Sequence, residues 1–208
     1  MAKVKGGPDG SISGMIGSVV FYKVNGKSYA RQAPKEREKD SWSNGQVMYR
    51  GKISKLAALW RQLTHNPIRL VWNLAAEQMS GYNLFLKTNL QAFSTDGLEI
   101  DPELLHLSVG KLPLPHKLKA SKIAGDSNNI EVTWQDDSGN GLAFTDDEMM
   151  MIIINEGKFT APIATGAIRK QQTAVVQLPT GFEKAQGIYL SFASAERMLY
   201  SPDQYFGL

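Results

Sequence analysis

Three histidines are the first residues to consider for chemistry, because imidazole is the side chain that most often transfers protons or binds metals near neutral pH. His65, His106 and His116 lie on three different segments, and none has a carboxylate at the spacing of a metal site. Single histidines of this kind are typically surface or capping residues. The chain has no cysteine, which excludes thiolate nucleophiles, thiolate metal sites and disulfide bonds. The sequence therefore nominates no catalytic residue and no metal ligand.

The signatures of common cofactor and hydrolase sites are also missing from the sequence. No stretch matches GxxxxGK[ST], GxGxxG, HExxH or GxSxG, the patterns of phosphate cradles, zinc hydrolases and nucleophile elbows. We therefore predict a protein that is not an enzyme, with no cofactor and no small-molecule substrate.

The densest group of carboxylates lies in the stretch QDDSGNGLAFTDDE, between two predicted strands. Its members are Asp136, Asp137, Asp146, Asp147 and Glu148. Oxygen ligands in a Gly-rich loop can bind calcium, but this loop lacks the DxDxDG spacing and the bidentate glutamate of a formed site. We favour a solvated acidic loop and leave calcium open. The loop could equally receive a basic arm from a neighbouring copy of the chain.

Basic residues are concentrated in the first third of the chain. Residues 1–70 hold 13 Lys or Arg against 4 Asp or Glu, a balance of +9, whereas residues 71–208 hold 10 against 16, a balance of −6. Such asymmetry indicates a polyanionic partner for the basic part or a neighbouring subunit with an acidic face. The alternative is a solvated surface on which the signs happen to segregate.

Aromatic residues are interleaved with these charges, as in proteins that bind single strands through base stacking and phosphate contacts. The candidate nucleic-acid residues are Lys23, Lys27, Arg31, Arg50 and Lys52. Against this hypothesis, the helical charges straddle an apolar stripe, as rim charges do. Tyr22 and Tyr29 also form a pair that stabilises a sheet without a ligand. Nucleic-acid binding is therefore our second hypothesis.

The element that would carry these aromatic residues is a β-hairpin, because Asn25-Gly26 separates two runs of branched and aromatic residues. With a two-residue turn, cross-strand partners sum to 51, so Tyr22 lies opposite Tyr29. Both faces then carry aromatic groups, which suggests a ribbon that docks on other protein subunits or on a second copy. The partner-binding candidates are Phe21, Tyr22, Tyr29 and Arg31. The alternative is that the chain's own helices and sandwich cover both faces.

Three regions follow from the hydrophobic patterns, and they predict an α+β fold class. Residues 1–40 are typical of a Gly-rich arm, the hairpin and a basic linker, and residues 41–97 follow a helical period. The second helix opens at Asn66-Pro67, and a third runs from Tyr82 to about Phe93. Residues 98–208 hold short strands separated by turn signals, typical of an immunoglobulin-like or fibronectin type III-like sandwich.

Two further patterns bear on burial and location. The continuous apolar run MMMIIIN predicts a strand covered on both faces, with an interaction strand as the alternative. No apolar run approaches the roughly 20 residues of a membrane span, and MAKVKGGPDG lacks the apolar region of a secretory signal. We therefore expect a cytoplasmic or virion protein without a membrane span.

The chain resembles the family catalogued as domain of unknown function 6266, known mainly from Bacteroidetes and their viruses. The resemblance rests on Gly14, Gly17, Tyr22, Gly26, Arg31, Gln46, Arg50, Ser80 to Asn83, Ile100-Asp101, Leu107 to Leu112, Trp134 and Ser201 to Phe206. Phe21 departs from the family's usual glycine, and Asn44-Gly45 replaces a proline before Gln46. The family has no assigned activity, so the resemblance implies an architecture and a taxonomic setting but no mechanism.

Overall fold

The computed structural model describes residues 5–6, 12–24, 26–35, 42–63, 66–93, 99–182 and 184–208. Asn25 of the predicted turn, His65 and residues 36–41 of the predicted linker lie outside the described residues. The chain divides into two compact units, residues 1–44 and residues 45–208. The α+β class is confirmed, with an N-terminal hairpin, three helices and several antiparallel sheets.

The first unit is a four-stranded antiparallel sheet with the strands in sequence order. Its strands are β1 (Lys5–Gly6), β2 (Ile12–Ile16), β3 (Val19–Val24) and β4 (Lys27–Gln32). The predicted register is confirmed, because Tyr22 pairs with Tyr29 and Val20 pairs with Arg31. Gly17 takes a left-handed φ of 58° between β2 and β3, a conformation that glycine adopts without a steric penalty.

We call residues 12–24 and 26–35 the N-terminal ribbon. Among residues 13–24 and 26–35, none is buried. The alternative, that the chain's own helices and sandwich cover both faces of the ribbon, stays a prediction, because the ribbon and those elements belong to different units. A sheet of this size without a hydrophobic core of its own is only marginally stable.

The second unit begins with three helices, α1 (Asn44–Gln62), α2 (Ile68–Ala75) and α3 (Gly81–Asn89). Asn66 accepts a hydrogen bond from the Ile68 amide at the start of α2, as the Asn-Pro pair predicted. The Ser80 hydroxyl accepts from the Asn83 amide and caps α3. α3 ends at Asn89, four residues before the predicted end at Phe93.

The rest of this unit contains two antiparallel sheets. The three-stranded sheet has the order β10-β6-β5, and the five-stranded sheet has the order β12-β11-β7-β8, with β9 also paired to β7. The strands are β5 (Lys119–Ile123), β6 (Asp126–Thr133), β7 (Glu148–Asn155), β8 (Lys158–Phe159), β9 (Ile163–Ile168), β10 (Thr173–Gln177), β11 (Gly187–Ala193) and β12 (Gln204–Gly207). Both sheets contribute to one hydrophobic cluster, with Val132 from one and Met151 and Phe192 from the other.

Strand β7 confirms the prediction made from the run MMMIIIN. Met151 and Ile153 point into the cluster between the two sheets. Ile152 and Ile154 point to the opposite face, into a second cluster that includes Leu56 of α1 and Phe85 of α3. The helices therefore form a third layer on the outer face of the five-stranded sheet, which explains why β7 does not alternate with polar residues.

Candidate functional site

The pairing of strands gives the N-terminal ribbon two distinct faces, because directly paired residues lie on the same side of a sheet. The tyrosine face carries Met15, Val20, Tyr22, Val24, Lys27, Tyr29 and Arg31. The phenylalanine face carries Gly14, Ile16, Val19, Phe21, Lys23, Ser28, Ala30 and Gln32. Of the four predicted partner-binding residues, three therefore share one face and Phe21 lies on the other.

The tyrosine face is an ordered aromatic surface. The rings of Tyr22 and Tyr29 stack with their centroids 5.6 Å apart and their planes at 22°. The Arg31 guanidinium lies 5.7 Å from the centre of the Tyr22 ring, within the range of a cation–π contact. Tyr22 remains 38% exposed and Tyr29 remains 45% exposed. This combination of ordered aromatic rings, a guanidinium and exposure is typical of a binding surface.

The predicted nucleic-acid residues fall into three groups. Lys27 and Arg31 lie on the tyrosine face, whereas Lys23 lies on the phenylalanine face. Arg50 and Lys52 belong to α1 in the other unit. The Lys52 ammonium lies 5.3 Å from the centre of the Phe93 ring, which ties this charge to its own unit. A nucleic-acid backbone bound along the tyrosine face would therefore contact Lys27 and Arg31 but not Lys23.

A buried arginine organises the acidic residues of the second unit. Arg169 is fully buried, and it forms ion pairs with Asp137 at 2.5 Å and with Asp147 at 3.1 Å. Its guanidinium also donates to the Pro113 carbonyl oxygen and lies 4.9 Å from the Phe192 ring. The expectation of a solvated loop is therefore wrong for Asp137 and Asp147. Burial raises the pKa of the Asp147 carboxyl, against the opposing effects of the Phe144 amide and Arg169.

We call residues 136–148 the acidic loop. The Gly139 amide donates to the Ala143 carbonyl oxygen at 2.8 Å, and the Phe144 amide donates to Asp147 at 2.9 Å. Within the loop, Ala143 is buried, whereas Phe144 is 60% exposed and Leu142 is 42% exposed. The loop thus holds two large apolar side chains outward on a fixed backbone.

Arg169 also bears on the calcium alternative. It supplies, at Asp137 and Asp147, the positive charge that a metal ion would supply. Within the described part of the chain, no group of three His, Asp or Glu side chains is arranged to hold a metal.

His106 belongs to a second polar cluster, which we call the clasp: Asn89, His106, Ser108, Ser201 and Asp203. The His106 Nδ1 lies 2.9 Å from Asp203, whose other carboxylate oxygen accepts from the amides of Leu107 and Ser108. The Asn89 side chain accepts from the His106 amide and donates to its carbonyl oxygen. The hydrogen bond with Asp203 raises the pKa of His106. The clasp thereby joins the end of the helical segment to the strand β12 region.

Several motif residues of the chain serve this same junction. The Ser108 hydroxyl donates to the Ser201 carbonyl oxygen, and the Ser201 hydroxyl accepts from the Phe192 amide. A side chain at Gly110 would overlap the Tyr200 carbonyl oxygen. The two serine hydroxyls, the Asp203 carboxylate and the Nδ1 atom of His106 therefore take part in internal hydrogen bonds. His116, the remaining described histidine, is exposed and lies 3.5 Å from Asp137.

Sequence patterns missed both polar clusters. Arg169 finds its partners 22 and 32 residues away, and Asp203 finds His106 97 residues away, at separations that no helical or strand period reports. In the described ranges, no helix is long and apolar enough to cross a membrane.

Comparison with known proteins places the chain in a family. The model of the family described as "Family of unknown function (DUF6266)" matches residues 11–207. No curated protein and no solved structure matches the chain. The match covers almost the whole chain and confirms the resemblance drawn from its motifs. The chain belongs to this family.

Proposed function

We propose that this member of the DUF6266 family is a non-enzymatic structural or protein–protein interaction protein, and that its N-terminal ribbon docks on another protein chain within a larger assembly. A phage particle or a surface assembly is the setting that we propose. The observation that carries the proposal is that residues 13–24 and 26–35, on both faces of the ribbon, are all exposed or partly exposed and none is buried. A coreless ribbon gains stability when a partner covers it.

The chemistry of the tyrosine face supports protein docking. Tyr and Arg are enriched among the residues that dominate binding energy at protein interfaces, and Tyr22, Tyr29 and Arg31 are already in contact with one another. A large apolar side chain that becomes fully buried contributes about 1.5–3 kcal/mol. Phe21 lies on the opposite face, so a partner that wraps the ribbon, or a second partner, would cover it.

The internal use of reactive side chains supports a non-enzymatic role. Ser108 and Ser201 are buried and hydrogen-bonded to backbone groups of their own unit, and buried Asp203 is held by the Leu107 and Ser108 amides and by His106. A catalytic nucleophile or base must instead meet a substrate at a suitable distance.

We also propose that the two-sheet part of the second unit is an immunoglobulin-like or fibronectin type III-like sandwich. If β5, β6 and β10 are taken as strands A, B and E, and β7, β11 and β12 as strands C, F and G, the sheets have the orders A-B-E and C-F-G. This division supports the proposal, because immunoglobulin-type sandwiches place C, F and G in one sheet and A, B and E in the other. β8 and β9 extend the C edge.

Site-specific cross-linking tests the docking proposal. A photoreactive benzoylphenylalanine replaces Tyr22 in one variant and the exposed Val175 of β10 in a matched control. Both variants are illuminated in extracts of the cell that makes the protein. We expect defined protein adducts from position 22 and none from position 175. Equal labelling at both positions, or adducts with nucleic acid alone, would contradict protein docking through the ribbon.

Nucleic-acid binding is the second candidate, because Lys27 and Arg31 share the face of the stacked tyrosines. Single-stranded nucleic acids bind to such surfaces by stacking on aromatic rings beside phosphate contacts. The test is fluorescence anisotropy of labelled single- and double-stranded oligonucleotides across a salt series. This candidate expects steep salt dependence, reduced by about 0.7–0.9 in logarithmic slope for each phosphate-binding cation removed among Lys27, Arg31 and Arg50. Flat traces at low salt would eliminate it.

A further inference from the structure

We propose that the partner of the ribbon is a second copy of this chain, which receives the tyrosine face on its acidic loop around Phe144. This inference rests on the proposed function, because it names the occupant of the same docking surface. It joins two features that are otherwise unexplained: a cationic ribbon with exposed faces, and a rigid acidic loop with exposed apolar side chains.

The two surfaces have opposite charge. Residues 12–35 contain Lys23, Lys27, Arg31 and Lys35 and no acidic residue. The acidic loop contains five carboxylates and no basic residue. Among the described residues, Arg169 and Arg197 form ion pairs with these carboxylates, and exposed Lys170 is bonded to the loop through the Thr145 carbonyl oxygen, so the loop keeps more negative than positive charges. Complementary charge of this kind directs partners toward each other and rejects wrong ones.

The two surfaces also match in their apolar content. Phe144 and Leu142 are exposed on the loop, while Tyr22, Tyr29 and Val24 are exposed on the tyrosine face. On the loop, the exposed carboxylate of Asp146 follows Phe144 by two residues, and on the ribbon Lys27 and Arg31 flank Tyr29. An apolar centre with a charged rim is the usual anatomy of a specific interface.

The buried arginine gives the loop a fixed shape before any partner arrives. Arg169 holds Asp137 and Asp147, and Asp147 in turn accepts from the Phe144 amide. A loop that is already ordered does not lose that conformational freedom on binding, which strengthens association. Phe144 belongs to neither hydrophobic cluster of its unit, so its exposed ring is accessible to a partner.

Because the ribbon and the loop are different patches, the proposed contact is head-to-tail. Each copy would use its ribbon on one neighbour and its loop on another. Such heterologous contacts produce closed rings or open chains rather than two-fold dimers. This matches the proposed place of the protein in a larger assembly.

Sedimentation velocity of the purified full chain at low salt, over a range of concentrations, tests the inference with charge-reversed variants. The ribbon variant is Lys27→Glu/Arg31→Glu, and the loop variant is Asp136→Lys/Asp146→Lys. Glu103→Lys/Glu156→Lys is the control, since both glutamates are exposed and lie outside the loop. Phe144→Ser removes the apolar contact without altering any charge, and circular dichroism checks that each variant folds.

We expect the wild type and the control to associate, and the association to weaken with salt. The ribbon variant, the loop variant and Phe144→Ser should each lower the association constant at least about tenfold. An equimolar mixture of the ribbon and loop variants should regain association, because each reversed patch then meets its complement.

Two outcomes would overturn the inference and remain distinct from failure of the docking proposal. If ribbon variants abolish association while loop variants behave like the control, the ribbon docks elsewhere and the acidic loop is not its receptor. If the wild type is monomeric at every concentration while position 22 still cross-links to a different protein, the ribbon is a docking surface but its partner is not a second copy.

Discussion

Strands β3 and β7 are both rich in apolar residues, but they differ in burial. The six residues from Met149 to Ile154 are buried, because helices cover one face of the five-stranded sheet and a second sheet covers the other. None of the six residues of β3 is buried. The comparison teaches that apolar residues alone do not make a strand buried: β7 is buried because the helices and the second sheet of its own unit pack on its two faces.

The largest effect is expected from removing the buried charge of Arg169 in the second unit. Arg169→Ala should lower the free energy of unfolding of the second unit by about 3–5 kcal/mol, because two buried carboxylates lose their cation. Urea denaturation followed by tryptophan fluorescence measures the loss. A triple variant, Arg169→Met with Asp137→Asn and Asp147→Asn, should recover part of it. A loss below about 1 kcal/mol for Arg169→Ala would show that the pairs contribute little.

Alanine substitutions at two glycines, Gly110 and Gly51, compare a tightly packed position with an open one in the second unit. Gly110→Ala should cost about 1–3 kcal/mol, because its new methyl group overlaps the Tyr200 carbonyl oxygen. Gly51→Ala is the matched control on α1, where nothing lies within 4 Å, and it should add about 0.5–1 kcal/mol of helix stability. Urea midpoints of the two variants should therefore move in opposite directions. Equal shifts would mean that the junction at Gly110 is not tightly packed.

The clasp predicts a smaller effect that depends on pH. Because the pKa of His106 is raised by Asp203 in the folded state, protonated His106 adds stability below its unfolded pKa near 6.5. That stability should disappear as the pH rises through the higher folded pKa. The contribution should stay below about 1 kcal/mol, since the imidazole is partly exposed.

His106→Gln should remove this part of the pH dependence, which begins as the pH rises above the unfolded pKa of about 6.5, as measured by urea unfolding at a series of pH values. An unchanged pH profile in the variant would assign the dependence to another group.

The smallest effect on the second unit is expected from the ribbon. Tyr22→Ser and Phe21→Ser should leave the unfolding free energy of residues 45–208 unchanged within about 0.5 kcal/mol, while they abolish association. Sedimentation velocity and urea denaturation of the same samples separate the two properties. A large loss of stability would show that the ribbon stabilises its own chain and would erase the contrast between β3 and β7.

Local patterns predicted the features that depend on neighbouring residues. The Asn-Gly pair fixed the register of the hairpin, and the length of the run MMMIIIN indicated cover on both faces. The end of α3 was predicted too late, because the apolar spacing continues through Phe93 although the helix stops at Asn89. Phe93 instead forms a bridge with Ile100.

The polar clusters could not be predicted for a different physical reason. Asp147 carries the same charge and the same local sequence signals as Asp146, but only Asp147 meets the buried Arg169. Burial of Asp147 therefore depends on the pairing of β7 with β9, which places the start of β7 beside the Arg169 guanidinium. Neither the composition nor the residue spacing of the chain predicts this pairing of strands.

The order of the helices and strands along the chain also has a consequence during synthesis. Phe85 of α3 packs in the same cluster as Tyr189 of β11, about 100 residues later in the chain. At a translation rate of roughly 5–20 residues per second, the helical segment waits about 5–20 s before that part of its supporting sheet exists. Over this interval the apolar side chains of α1, α2 and α3 have no complete layer to pack on. We therefore expect the nascent chain to keep these apolar helix faces exposed until β11 emerges.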